Sequence, residues 1–266
     1  MKSMFLGTSA GEAIPSIFFA GVTIVSKREG SVEKNIRSRT SFRIDAKHQI
    51  DFSPDSFYQM MKHGLDVFEL EHLLITHTHK DHFDLAEILL KEYAVKTKEQ
   101  PLNIYLSPEA AGWAETLLER YSVNYTAEHK KAVEQMFRFI VVQPFQPFQA
   151  GDLTVTPLKG NHRAFGAGEY AHNYLITLND GKNLCYASDT GWYGEQTWGF
   201  LTGKKTDILI MECTYGGRDD RGLYVNQHLD IPNFVLMLDK MSAIGFIDGN
   251  TKNLCYTYKP QTALFA

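Results

Sequence analysis

Residues 77–82 read His-Thr-His-Lys-Asp-His, and this run constrains the fold more than any other segment of the chain. The preceding residues 73–76 have the apolar character of a buried strand, and a helix is expected over residues 84–93. The run therefore belongs to a loop whose two ends are held by regular elements. Imidazole nitrogens and carboxylate oxygens are natural ligands of divalent ions, so a metal site is predicted; surface or hydrogen-bonded histidines are the alternative. The candidate ligands are His77, His79, Asp81 and His82.

Two further candidate ligands follow strand-like segments later in the chain. His162 comes after the apolar residues 153–158, and Asp189 comes after residues 184–187. Both are therefore expected at strand ends. The two oxygens of an aspartate can reach separate cations, so Asp189 is a candidate bridging ligand. For Asp189 the alternative is a turn residue before Thr-Gly.

The predicted strands occur in groups and do not alternate strictly with helices. This grouping favours an α/β (α+β) class with layered sheets covered by helices over a doubly wound parallel sheet. With 266 residues and 44% hydrophobic content, the chain can bury a large core, and we predict a single domain over residues 1–266. Helical patterns cover residues 55–63, 84–93, 108–121 and 230–241.

Charge, cysteine spacing and hydropathy exclude several classes of protein. The net charge of −4 provides no broad cationic field, so there is no strong signal for nucleic acid as a partner. Three widely spaced cysteines argue against a disulfide framework and against a cysteine zinc site. No segment approaches the roughly 18 continuous apolar residues of a membrane span, and the N-terminus lacks a signal-peptide pattern. We therefore predict a cytoplasmic protein without membrane association.

These motifs, in this order, resemble those of the metallo-β-lactamase superfamily. They are most similar to the phosphodiesterase branch that includes phosphoribosyl cyclic phosphate phosphodiesterase and ribonuclease Z. The resemblance implies a four-layer αββα sandwich, the metallo-β-lactamase fold, with two divalent metal ions, zinc or manganese, at the top of its sheets. The matching runs are Phe5-Leu6-Gly7-Thr8, the histidine-rich run at 77–82, Gly160-Asn161-His162 and Ala187-Ser188-Asp189-Thr190.

The resemblance also implies a reaction and a role for each ligand. Metal-bound water or hydroxide would be the nucleophile, because coordination lowers the pKa of water. We therefore predict hydrolysis of a small or cyclic phosphodiester, with a small-molecule phosphate ester as substrate. Asp81 and His228 are the predicted catalytic residues, and His228 would protonate the leaving oxygen; a surface histidine near a helix start is the alternative for His228. The first metal would be held by His77, His79 and His162, the second by Asp81 and His82, and Asp189 would bridge them.

Other polar residues flank the predicted mouth of the metal site. Arg163, as a charge-assisted donor, and His172 are candidate contacts for the phosphate, and each is equally explained as a polar surface residue. Glu212 and Thr214 end an apolar strand, so they are candidate hydrogen-bond partners of a ligand histidine.

The chain departs from the family pattern at two places. No histidine follows His228, although the superfamily normally supplies a last ligand of the second metal there. Either His228 replaces that ligand, or the second metal is bound weakly by the remaining ligands, or the site holds one ion. Residues 17–25 lack the cysteines with which relatives bind a structural zinc. This apolar segment either packs against a second copy of the chain in a homodimer or forms a core strand.

Two other functions fit the same residues. Attack by metal-bound hydroxide also serves acyl centres, so a lactone, ester or lactam hydrolase is one alternative. The missing last histidine favours the other, a catalytically impaired homologue that binds metal. Ribonuclease Z activity is disfavoured, because the chain has neither an inserted basic, glycine-rich arm nor a positive net charge.

Overall fold

The computed structural model describes residues 3–14, 36–93, 100–218 and 220–256 of the chain. These residues form two compact units, and each unit contains one six-stranded sheet. The first unit comprises the described residues of 1–7, 39–143 and 164–169, and the second comprises those of 8–38, 144–163 and 170–266. The apolar segment at 17–25 lies outside the described residues, and the single domain stays a prediction.

The sheet of the first unit is mixed. In spatial order its strands are β1 (Met4–Gly7), β2 (Ser41–Arg43), β3 (His48–Ile50), β4 (His72–Leu74), β5 (Leu102–Leu106) and β6 (Phe137–Val141). Strands β1 to β3 pair antiparallel, whereas β3 to β6 pair parallel. Leu73, Leu74 and Ile104 are fully buried, as expected for parallel strands that are covered on both faces.

Four α-helices of the described residues belong to the first unit: α1 (Ser56–His63), α2 (Leu85–Leu89), α3 (Pro108–Tyr121) and α4 (Ala127–Met136). Helix α3 matches its predicted range, because Pro108 opens it and Ser107 caps it, the Ser107 Oγ accepting from Ala110 N at 3.0 Å. Helix α2 is shorter than predicted, since the chain tightens into a 3-10 helix over Leu90–Tyr93. Alanines on α3 share one buried apolar cluster with β4 and β5.

The sheet of the second unit is also mixed. In sequence order its strands are β7 (Phe148–Ala150), β8 (Leu153–Arg163), β9 (Tyr170–Thr177), β10 (Asn183–Ala187), β11 (Ile208–Glu212) and β12 (Lys252–Tyr256), and they are neighbours in that order. Strands β7 to β10 pair antiparallel, whereas β10 to β12 pair parallel. Two helices, α5 (Glu195–Leu201) and α6 (Ile231–Ala243), pack against the buried apolar side chains of this sheet.

The strand that carries His162 is longer than predicted. His162 lies at a strand end, as expected, but within the strand, because β8 continues to Arg163. The pairing of β8 with β9 shifts in register between Lys159 and Arg163 and resumes opposite Tyr170. An irregularity of this kind bends a strand and redirects its side chains, so His162 is positioned by strand backbone on both sides.

The grouped strands and the helices packed on each sheet confirm the predicted α/β class. Among the described residues, no helix combines the length and apolar character that a membrane crossing requires.

Candidate metal centre

The histidine-rich run leaves the end of β4 as a compact turn. The backbone amides of His82 and Phe83 both donate to the carbonyl of His79 at 2.9 Å, and the amide of Phe52 donates to the carbonyl of His82 at 2.8 Å. The side chains of His77 and His82 are buried within this turn. A backbone held in this way limits the entropy that its side chains lose when they bind a metal.

His77 and His79 direct ring nitrogens at each other. The Nε2 atom of His77 lies 3.0 Å from Nδ1 of His79, and Nδ1 of His77 lies 2.9 Å from Thr76 Oγ1. Two zinc–nitrogen bonds of about 2.0 Å at a tetrahedral angle would place the nitrogens about 3.3 Å apart. The observed separation is close to that value, so the pair fits two ligands of one cation.

His82 is paired with two carboxylates. Its Nε2 atom lies 3.2 Å from Asp81 Oδ2, and its Nδ1 atom lies 2.7 Å from Asp51 Oδ2. Asp51 also accepts hydrogen bonds from Thr76, at 2.8 Å from the amide and 2.9 Å from the hydroxyl. A carboxylate on Nδ1 selects the tautomer that offers Nε2 to a metal. Asp81 and His82 therefore fit the paired ligand role that the resemblance implies.

Asp51 is a site residue that sequence reasoning missed. It directly follows β3, is fully buried and has a φ of 60°, in the left-handed region that non-glycine residues rarely adopt. Burial raises the pKa of Asp51, while His82 and the hydrogen bonds from Thr76 lower it. Its only sequence signal is an acidic residue after the apolar Ile50, which is too common a pattern to single it out.

A buried glutamate supports the residue between the first two histidines. Glu169 accepts from the Thr78 amide at 2.9 Å, from the Thr78 hydroxyl, and from the Gly166 amide at 2.8 Å. In the same loop, the ring of Phe165 packs edge-on against His79, with 4.7 Å between centroids. Burial raises the pKa of Glu169. This support was also missed, because Glu169 and Thr78 are 91 positions apart in the sequence.

In the second unit, His162, Asp189 and His228 form a cluster of their own. One potential ligand atom from each lies within 4.8 Å of the others. The Nε2 atom of His162 is 3.8 Å from Asp189 Oδ2, and the two imidazole centroids are 4.6 Å apart. Two imidazoles and a carboxylate are a suitable donor set for a divalent ion. His228, the predicted general acid, therefore lies beside two predicted metal ligands.

Both histidines of this second cluster have their Nδ1 atoms engaged. His162 Nδ1 lies 3.0 Å from the Gln227 carbonyl oxygen, and His228 Nδ1 lies 3.1 Å from Glu212 Oε1. The other carboxylate oxygen of the buried Glu212 accepts from the Thr214 amide at 2.7 Å. The Nε2 atom is therefore the nitrogen through which each histidine would contact a metal ion or a substrate. Glu212 thus contacts His228, the predicted general acid, and Thr214 contacts Glu212; their contact with a ligand histidine stays a prediction.

Asp189 and Gln227 are held in unusual backbone conformations. Their φ angles are 50° and 69°, both in the left-handed region. Such conformations in non-glycine residues are retained where the surrounding structure requires them, and they cluster at functional sites. Gln227 contacts His162 through its backbone carbonyl oxygen, which every residue type has. The sequence therefore did not identify Gln227 as a site residue.

Arg163 contacts Tyr170, which lines an open cavity of about 330 Å³ in the second unit. The Arg163 Nε donates to the Tyr170 hydroxyl at 3.3 Å, and its guanidinium carbon lies 5.5 Å from the ring centroid. The Nζ atom of Lys159 lies 4.7 Å from the same centroid. Two cations on one aromatic ring suit an anionic group, whereas Glu195 adds one negative charge to the lining of the cavity. The cavity is lined by Lys159, Gly160, Asn161, Tyr170 and residues 194–197.

His172 lies on β9 and is only 2% exposed. Its ring stands edge-on to Tyr174, with 6.2 Å between centroids, and its Nδ1 atom has no hydrogen-bond partner among the described residues. Burial lowers the pKa of His172 to about 4. Its contact with a phosphate stays a prediction.

A first metal site formed by His77, His79 and His162 also stays a prediction, and so does a bridging role of Asp189. These ligands belong to different units.

Comparison of the sequence with protein families gives one match. The family described as Anti-Pycsar protein Apyc1 matches residues 38–224, which is more than half of the chain. This range contains every predicted metal ligand, whereas His228 lies just beyond it. A search of curated proteins found no match.

Several solved structures share the fold. The metallo-β-lactamase fold protein YhfI from Bacillus subtilis has 16% identity and a TM-score of 0.63, covering 96% of this chain and 86% of that one. Zn(2+)-bound PqqB from Methylobacterium extorquens has 16% identity and a TM-score of 0.60, with coverages of 97% and 98%. The short form of human tRNase Z has 17% identity and a TM-score of 0.63, with coverages of 99% and 94%. These likenesses confirm the predicted metallo-β-lactamase fold.

Proposed function

Because this chain belongs to the family of the anti-Pycsar protein Apyc1, we propose that it is a metal-dependent hydrolase of a small or cyclic phosphodiester. The observation that carries the proposal is the pair of histidine and carboxylate clusters, in each of which a buried carboxylate orients a histidine. The Zn(2+)-bound relative supports a divalent metal as cofactor. The name of the matching family supports the proposal that this activity acts against Pycsar.

We assign the metal ligands as the superfamily resemblance implies. The donor chemistry of both clusters supports this assignment, because the Nδ1 contacts of His82 and His162 leave Nε2 facing Asp81 and Asp189, respectively. When bound, two divalent ions would supply Lewis-acid activation of water and would offset the negative charge of the phosphate. The proposed ligands are His77, His79 and His162 for one ion, Asp81 and His82 for the other, and Asp189 between them.

His228 is the proposed general acid. Glu212 accepts a hydrogen bond from the N–H group at Nδ1, so this proton stays on the ring. The proton that leaves in the reaction is the one on Nε2. The buried carboxylate stabilises the imidazolium before the transfer, and it keeps the neutral ring in position afterwards. In this way His228 would protonate the leaving oxygen of the phosphodiester.

The cations beside Tyr170 support an anionic substrate of small size. Lys159 lines a cavity of about 330 Å³, and Arg163 contacts Tyr170, which lines it as well. This volume falls in the range of small-molecule sites. We propose that they attract and orient a charged group of the substrate.

The test is hydrolysis of bis(p-nitrophenyl) phosphate by the purified chain with added zinc or manganese, beside a lactone substrate. His79→Ala should lose bound metal and activity together. His228→Ala should lower kcat by about 10²–10⁴. His129→Ala, on the exposed face of α4, is the control that should behave as wild type.

The outcomes separate the competing functions. Cleavage of the lactone but not of the phosphodiester would replace the proposal with the acyl hydrolase alternative. Metal binding without any hydrolysis would support the impaired homologue, and absence of metal uptake would refute the hydrolase.

A further inference from the structure

Two cysteines meet at the parallel edge of the second sheet. Strands β11 and β12 pair so that Met211 lies opposite Cys255, and the Cys213 amide donates to the Tyr256 carbonyl at 3.0 Å. Cys213 is two residues beyond Met211, so its side chain is expected on the same face as that of Cys255. The two thiols are close enough for each to shift the pKa of the other.

The two thiols differ in exposure and in acidity. Cys255 is exposed, whereas Cys213 is buried. The hydrogen bond from Cys213 lowers the pKa of Cys255, and the same contact together with burial raises the pKa of Cys213. An accessible thiol with a lowered pKa next to a second thiol is the arrangement of a peroxide-reactive cysteine and its resolving partner.

Cys185 provides a built-in comparison. It is buried on β10, and burial raises its pKa to about 12. Peroxide does not reach a thiol that is buried in this way, so Cys185 cannot be the thiol that reacts first.

We propose that Cys213 and Cys255 form a reversible disulfide in response to peroxide. The Cys255 thiolate attacks one peroxide oxygen, the O–O bond breaks, and a sulfenic acid and hydroxide form. The Cys213 sulfur then attacks the sulfenic sulfur and displaces its oxygen, which leaves as water. In total, two thiols and one hydrogen peroxide give one disulfide and two waters, and the thiols lose the two electrons that the peroxide gains. A dithiol reductant reverses the step.

Closing this bond requires the strand ends to move. Because the two cysteines are offset by two residues, their Cα atoms are farther apart than those of directly paired residues. The sulfurs can therefore bond only if β12 and the residue after β11 approach each other. β12 is an edge strand, and its residues from Lys252 to Cys255 are exposed, so the movement displaces few packed side chains. Glu212 directly precedes Cys213 and contacts His228. Disulfide formation is therefore expected to displace Glu212 and, through it, the general acid His228. This consequence rests on the proposed function.

The experiment treats the reduced, purified full chain with one equivalent of hydrogen peroxide. Two of the three thiols should disappear, the intact mass should fall by two hydrogens, and nonreducing digestion should yield one linked peptide pair containing Cys213 and Cys255. Dithiothreitol should restore all three thiols. Cys255→Ser and, separately, Cys213→Ser should abolish the linked pair, whereas Cys185→Ser should retain it.

Linkage through Cys185, linkage between two chains, or oxidation of Cys255 without a bond to Cys213 would each overturn the proposal. Phosphodiester turnover is measured in parallel and should fall about tenfold in the oxidised wild type, the size expected when the partner of a catalytic histidine is displaced, but not in Cys255→Ser. If wild-type protein forms the disulfide but has no hydrolase activity in either state, the function proposed above fails while the dithiol site stands.

Discussion

At the residue scale, two buried carboxylates determine which nitrogen a histidine presents to the candidate site. Asp51 takes the Nδ1 side of His82, and Glu212 takes the Nδ1 side of His228. Each carboxylate is satisfied by further donors, so the histidine partner is held by a network and not by a single hydrogen bond. The orientation of each imidazole is therefore established before a metal or substrate binds.

Asp51→Asn should weaken metal binding by about 10–100-fold without unfolding the chain, because the amide keeps hydrogen bonds to Thr76 but loses the charge that orients His82. Competition with a chromophoric chelator measures the affinity. The matched control is Asp45→Asn, which alters a similar carboxylate–histidine contact, 2.8 Å from His48 Nδ1, outside the proposed ligands. Equal affinity of Asp51→Asn and wild type would show that Asp51 does not orient a ligand.

At the scale of elements, the close approach of β8 and β9 depends on a glycine. A Cβ atom on Gly160 would lie 2.8 Å from the Ala171 carbonyl oxygen and 3.4 Å from Asn173 Oδ1. The nearer contact is with backbone, which cannot rotate away, so the strands would have to separate. Gly160 lies two residues before His162, so the same separation would disturb the ligand cluster.

Gly160→Ala should destabilise the chain by about 1–3 kcal/mol, as overpacking does at a tight contact. Gly112→Ala should act in the opposite direction, because Gly112 lies inside α3 with open space around its Cβ position. Alanine there is expected to stabilise by about 0.5–1 kcal/mol. Urea unfolding followed by circular dichroism measures both changes, and a Gly160→Ala variant as stable as wild type would contradict the close approach.

At the scale of the whole molecule, His172 couples protonation to global unfolding. It is buried as a neutral base, and its pKa is lowered from an ordinary value of 6.5 to about 4 by burial. The unfolded chain therefore takes up a proton near pH 6.5, whereas the folded chain resists protonation until about pH 4. The free energy of unfolding should thus fall as the pH decreases through this window, with a slope of about 1 kcal/mol per pH unit from this residue.

His172→Phe should remove that part of the slope, because phenylalanine fills a similar volume and does not titrate. The measurement is the free energy of unfolding of both proteins between pH 7 and pH 4, with a chelator present in every sample. The difference between the two curves should change by about 3 kcal/mol between pH 7 and pH 4. Parallel curves over the whole range would show that His172 is not buried as a neutral base.

Local patterns predicted the elements that depend on only a few residues. Helix α3 begins at Pro108 as predicted, with Ser107 as its cap, and α6 begins at Ile231, one residue after its predicted start, with Asp230 as its cap; such caps act within one turn. The run from His77 to His82 was identifiable because its ligand chemistry is contained in six neighbouring positions. The extension of β8 through His162 was not predicted, because it depends on pairing with β9 across an irregular register.

The sequence by itself determined the ligand types, the helix caps and the grouping of strands, since these follow from side-chain chemistry and short-range periodicity. Only the tertiary structure decided which carboxylate supports which histidine. Asp51 and His82 are 31 positions apart, and Glu169 and Thr78 are 91 apart. A buried acid acquires its partner from the strand or loop that packs beside it, so its role becomes visible only when the chain is folded.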